Sequence, residues 1–289
     1  MVMGQGGRGI ILVTAAAVVF SAAGPFTRLI VLDAWTVVFW RGTFGGLFIL
    51  AWIAWTHRAR TLSAFGGMGR AGLAAAACSA LGTVCFINAL QRSTVADVTL
   101  IHAAAPFVTA AIGWLLLGRR ESTTTLAAAA VAMSGVVVIF GGAPAGGQFV
   151  GNLLALAMTV LIGTMMVIIR ANPGRSMLPA ASLSGFASAV LVAPFAQPLS
   201  PTIGELAMLA AFGAQFGLGL LLLTLGTRLV SATRSALIGS LEIPLGPVAV
   251  WLAFAERPAA ASYAGGAVVV AAVLADILFG RRRRRSGLN

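Results

Sequence analysis

The chain has 289 residues, 59% of them hydrophobic and only 9% charged, against about 25% charged in an ordinary soluble domain. That balance excludes a soluble globular protein and reads as an integral membrane protein. The net charge of +12 comes from 19 arginines and no lysine, which excludes a Walker A nucleotide loop and a lysine Schiff base, and the lack of a charged soluble segment excludes a nucleic-acid binder.

Crossing a bilayer takes about 20 apolar residues, and clusters of Gly, Pro and Arg divide the chain into ten such runs. The first, 10–30, follows Arg8 and resembles a signal peptide. Its segment from Gly9 nevertheless recurs from Gly151, with Leu12 matching Leu154 and Arg28 matching Arg170, so the run is expected to be kept as a structural unit. The second, 34–55, carries Arg41 within FWRGTF. The third, 71–90, holds Asn88 and the only cysteines, Cys78 and Cys85; these lie about 10 Å apart on one helix face, too far to bridge, and read as packing residues. The fourth, 96–117, contains Asp97, His102 and Pro106. Runs five to eight are 123–140, 150–170, 178–194 and 205–226, with Gln215 in the eighth. The ninth, 232–254, contains Glu242, Pro244 and Pro247, and the tenth is 260–279.

With ten runs both ends of the chain fall on one side. Arginines in alternate loops divide unequally: Arg8, Arg58, Arg60, Arg70, Arg119, Arg120, Arg170, Arg175, Arg228, Arg234 and Arg281 to Arg285 on one face, only Arg28, Arg92 and Arg257 on the other. The positive-inside rule then puts both termini in the cytoplasm. The run Arg281 to Arg285 reads as a topology anchor that Asp276 can pair with.

The chain also repeats. Leu100-Ile101 recurs as Leu237-Ile238 and Trp114 as Trp251, 137 residues on, and Pro106 matches Pro244 with a one-residue slip. Five runs per half put the second copy into the membrane upside down, the arrangement associated with alternating access. The expected fold is therefore an all-α membrane protein of ten helices in two inverted five-helix repeats, 1–143 and 144–280, followed by a basic tail, 281–289.

An ionisable side chain at mid-bilayer costs roughly 2.5 to 3.5 kcal/mol on insertion scales, so each one points to a partner or a wet cavity. Counting rise per residue puts Arg41 and His102 about 10 Å inside the outer boundary, Asp97 at the interface and Glu242 near the middle. Arg41 either pairs with Asp97 or a backbone carbonyl, or grips a substrate carboxylate with its planar fork. His102 either bonds a neighbouring helix or serves the cavity as ligand or proton acceptor. Glu242 meets an ammonium or a coupling proton, and Asn88 and Gln215 add neutral polar groups. The repeat puts Gly239 or Ser240 opposite His102, Ala104 opposite Glu242 and Leu183 opposite Arg41, so the charges break the symmetry, as groups that recognise an asymmetric ligand do. Pro106, Pro244 and Pro247 each remove a helical hydrogen bond and kink their run, as hinges around a cavity or for packing alone. Gly42 with Gly46 and Gly213 with Gly217 have the spacing of close helix contacts.

The arginine of FWRGTF and the proline-bearing runs that end in WLLLGRRE and WLAFAERP resemble the EamA-type transporters of the drug/metabolite transporter superfamily. Glu256 after Ala255 matches that family's pattern, whereas the first half has Arg119 there and Glu121 two residues later. The resemblance is closest to bacterial amino acid exporters, including those for aromatic amino acids. It implies a central cavity lined mainly by runs three, four, eight and nine, the bacterial inner membrane, and an exported small-molecule substrate, with protons as a candidate coupling ion. One guanidinium and one carboxylate among apolar residues suit a zwitterion with an apolar side chain. Nucleosides, quaternary amines and a channel are the alternatives. No cofactor, metal or enzymatic activity is expected: His102 has no nucleophile at its depth, and His57 lies in a loop among arginines.

Overall fold

A computed structural model describes residues 5–118, 123–144, 146–172, 175–227, 229, 238–239 and 241–285. Arg119, Arg120, Glu121, Arg228, Arg234, Leu237, Ser240, the start of the ninth predicted run and the last four residues lie outside them, as do the side chains of Asp276 and Arg281 to Arg285. Among the described residues all regular structure is helical: α1 (Gln5–Ser21), α2 (Ala23–Leu29), α3 (Ala34–His57), a 3-10 turn (Arg58–Arg60), α4 (Thr61–Gly67), α5 (Gly69–Arg92), α6 (Val95–His102), α7 (Ala105–Leu117), α8 (Thr123–Gly141), α9 (Gly147–Ala171), α10 (Leu178–Val192), α11 (Ile203–Thr227), α12 (Glu242–Phe254) and α13 (Ala260–Arg285).

Among the described residues six helical stretches are long and apolar enough to cross a membrane: 7–29, Ala34–His57, Gly69–Arg92, 95–116, Gly147–Ala171 and Ile203–Thr227. Four shorter apolar stretches, Leu126–Gly141, Leu178–Val192, Glu242–Phe254 and Ala260–Ala275, occupy the remaining predicted runs. In lipid a helix satisfies its own backbone groups, which is why these apolar runs fold as helices. The protein is a multi-pass membrane protein.

Small residues decide which helices touch. A Cβ on Gly42 would lie 2.6 Å from the carbonyl of Gly185, so α3 and α10 meet backbone to backbone. On another face of α3, a Cβ on Gly213 of α11 would lie 2.7 Å from the Gly45 amide nitrogen. A Cβ on Gly135 would lie 2.5 Å from Gly265 O, which clamps α8 on α13. Without a hydrophobic drive between helices in lipid, such close approach contributes the van der Waals contact that holds helices together. The other extensive pairings are α5 with α9, α1 with α11 and α5 with α10.

Prolines interrupt the runs that bend. Pro25 sits where a donor to the Ser21 carbonyl is needed, and α1 stops at Ser21. Pro106 denies a donor to the His102 carbonyl; α6 stops at His102 and α7 resumes at Ala105. Pro247, inside α12, denies one to Ile243. Helices α7 and α12 end alike: Gly118 (φ 63°) and Ala255 (φ 54°) take left-handed caps whose N–H groups bond Trp114 O and Trp251 O.

Candidate functional site

The helix breaks converge on a cavity of about 370 Å³. Phe20 and Ser21 end α1, Ala23 and Gly24 start α2, Phe86 and Leu90 come from α5, and Thr99 and His102 from α6. Pro106 and Phe107 of α7, Gly239 just before α12, Glu242, Ile243 and Gly246 of α12, and Val273 of α13 complete the enclosure along with smaller apolar groups. Runs three, four and nine therefore line it as expected. The eighth does not: α11 turns Gly213 onto Gly45, Gly219 onto Phe20 and Gly226 onto Val13, and this stripe commits it to α3 and α1. Run one takes its place, because Pro25 opens that helix beside the cavity.

Of the residues singled out in the sequence, His102, Glu242 and Pro106 meet in this lining. His102, the last residue of α6, places Nδ1 3.4 Å from Thr159 Oγ1 of α9. Among the described residues no hydrogen bond or ion pair takes up the Glu242 carboxylate. Pro244 and Pro247 belong to α12 but not to the lining.

Arg41, Gln215 and Asn88 lie outside the lining. Arg41 is 4% exposed, and its guanidinium sits 4.7 Å from the ring centres of both Phe212 and Phe216, a cation–π sandwich; its Nε has no hydrogen-bond partner among the described residues. Gln215 donates to Val19 O, and its Oε1 is buried and unpaired among the described residues. Asn88 folds back onto its own helix, donating to Val84 O at 2.9 Å.

Of the alternatives open to Arg41, pairing with Asp97 is not found among the described residues. Asp97 is 1% exposed and packed among helices. Gln148 at 3.0 Å, Asn152 at 3.4 Å and Ser262 all donate to it, joining α6, α9 and α13. Counting along a helix gives depth but not direction, and Asp97 faces α9 and α13 while Arg41 faces α11.

At one end of the cavity stands a knot the sequence did not disclose. Arg28 Nε bonds Glu256 Oε2 at 2.7 Å, while its terminal nitrogens donate to Leu90 O at 2.5 Å and Ser93 O at 3.0 Å. Glu256 Oε1 accepts from the Val95 amide at 2.8 Å. The knot therefore finishes the end of α5 and the start of α6 together. Its residues were visible as an outer-loop arginine and a family-pattern glutamate, but they are 228 positions apart. The Ser21 and Thr99 hydroxyls and the Phe20, Phe86 and Phe107 walls were missed as well. Of these, Ser21 alone carried a signal, since it stands four residues before Pro25 as His102 stands four before Pro106.

Residues 7–141 match the EamA-like transporter family. The EamA match spans 135 of 289 residues, just under half of the chain, and supports a membrane transporter of small molecules; the family is one of transporters and not of enzymes. No curated protein matches the chain. A solved structure described only as "Crystal structure of protein" has a similar fold, with a TM-score of 0.61 at 20% identity over 96% of each chain.

Proposed function

We propose that the protein is a secondary transporter that exports small amine-bearing metabolites, amino acids and aromatic amino acids among them, across the bacterial inner membrane by alternating access. The observation that carries this reading is the meeting of His102 from the first half and Glu242 from the second in one cavity bounded by broken helices. In this proposal ten spans form two inverted halves, 1–143 and 144–280, with both termini cytoplasmic.

The helix pairings support the inversion. Under the repeat, α5 against α9 becomes α11 against α1, and α3 against α11 becomes α10 against α5; all four pairs are in contact. Two further contacts, α3 with α10 and α8 with α13, map onto themselves. The matching left-handed caps after Trp114 and Trp251 agree with the same symmetry.

Substrate contact falls to Glu242 and His102, while Arg41, Gln215 and Asn88 serve helix packing. Pro106, Pro244 and Pro247 act as hinges, since a helix short of one hydrogen bond bends at lower cost. Glu242 and His102 also provide the groups for proton coupling. The test is uptake by liposomes holding the purified full-length protein. If neither amino acids nor amines enter above protein-free controls, the reading fails. If entry ignores an imposed pH gradient, facilitated diffusion replaces proton coupling.

A further inference from the structure

With Glu242 ionised, each polar side chain in the described lining of the cavity is left accepting hydrogen bonds. The Ser21 hydroxyl donates its one proton to Val18 O at 2.7 Å, and that of Thr99 donates to Val95 O at 2.9 Å, so both offer only lone pairs to the cavity. Thr159 uses its own proton on Ala155 O at 2.8 Å. It can therefore only accept from His102, which assigns the ring proton to Nδ1 and leaves Nε2 of the neutral imidazole as an acceptor. An ionised Glu242 accepts through both oxygens.

The backbone adds to this set. The three carbonyls deprived of a donor by Pro25, Pro106 and Pro247 belong to Ser21, His102 and Ile243, and all three residues line the cavity. Among the described residues the lining contains no arginine, asparagine, glutamine, tryptophan or tyrosine that could donate in return.

We propose that the cavity selects organic ammonium compounds with an apolar or aromatic body and no carboxylate over the corresponding amino acids. A primary ammonium brings three donors to a site built of acceptors and neutralises Glu242. The faces of Phe20, Phe86 and Phe107 accommodate an aromatic or aliphatic body, and a ring adds attraction to the cation. An amino acid brings a carboxylate as well, which would be desolvated beside Glu242 with no side-chain donor to meet it. This choice of substrate rests on the cavity being the transport site, as proposed above.

The test is calorimetric titration of the purified full-length protein with phenylethylamine, phenylalaninamide and phenylalanine, alongside counterflow of the same labelled compounds in liposomes. Phenylethylamine and phenylalaninamide are expected to bind at least tenfold more tightly than phenylalanine. Glu242→Gln, which converts an acceptor into a partial donor, is expected to erase that preference. Thr99→Val, which removes one hydroxyl at constant shape, is expected to weaken phenylethylamine binding several-fold even if the first variant fails to fold. Equal or tighter binding of phenylalanine, or no binding of either amine, overturns the proposal. Counterflow of phenylalanine without phenylethylamine overturns the selectivity and leaves the transport reading standing. Tight amine binding with no counterflow of any compound does the reverse.

Discussion

Glu242 and Arg41 are both ionisable residues inside apolar runs, and the sequence treats them alike. The structure separates them. Glu242 opens a helix beside a cavity, with no described residue satisfying it and a proline two positions on. Arg41 lies in the unbroken helix α3, packed between Phe212 and Phe216 of the equally unbroken α11. A buried charge that borders space and broken helix stays open to a ligand, whereas one enclosed by aromatic rings is committed to its neighbours.

The largest expected effect that would uphold this contrast is at Glu242. Glu242→Gln is expected to lower amine-driven uptake in liposomes at least tenfold while the protein still elutes as a single species in gel filtration. Pro106→Ala restores a donor to the His102 carbonyl and straightens the run; a several-fold fall in turnover, with binding measured by calorimetry nearly unchanged, is the expected result. If binding falls as much as turnover, Pro106 shapes the site and is no hinge.

Smaller again is the expected effect of Glu256→Gln, which leaves Arg28 hydrogen-bonded but removes its counter-charge. Differential scanning fluorimetry is expected to show a modest drop in melting temperature, and uptake to change by less than Glu242→Gln changes it. Arg41→Met comes last. Arg41 has no counter-charge among the described residues, so an apolar side chain of similar length strands no partner ion, and uptake within about twofold of the wild type and an unchanged or raised melting temperature are expected. A tenfold loss of uptake in a folded Arg41→Met protein would erase the distinction between the two residues.

Much of this organisation was legible in the chain. Hydropathy located the apolar runs, because lipid demands long unbroken apolarity, and Pro106 marked the break between α6 and α7. His102 and Glu242 stood out because charge inside such a run is costly. What stayed hidden depends on direction around the helix axis. Depth counting set Arg41 and Asp97 within reach of one another, yet successive residues turn by 100°, and the two face different neighbours. The place of α11 away from the cavity was likewise written in Gly213, Gly219 and Gly226, but their partners on α1 and α3 are known only once the helices are assembled. The hydroxyls of Ser21 and Thr99 read as ordinary until their protons are traced to carbonyls of their own turns.

The Arg28–Glu256 knot has a kinetic consequence. Its four hydrogen bonds tie a side-chain pair to the exposed ends of two helices, so prising the helices apart at that end strands backbone groups as well as charges. If the proposed transport cycle opens the protein at this end, turnover is expected to slow steeply on cooling.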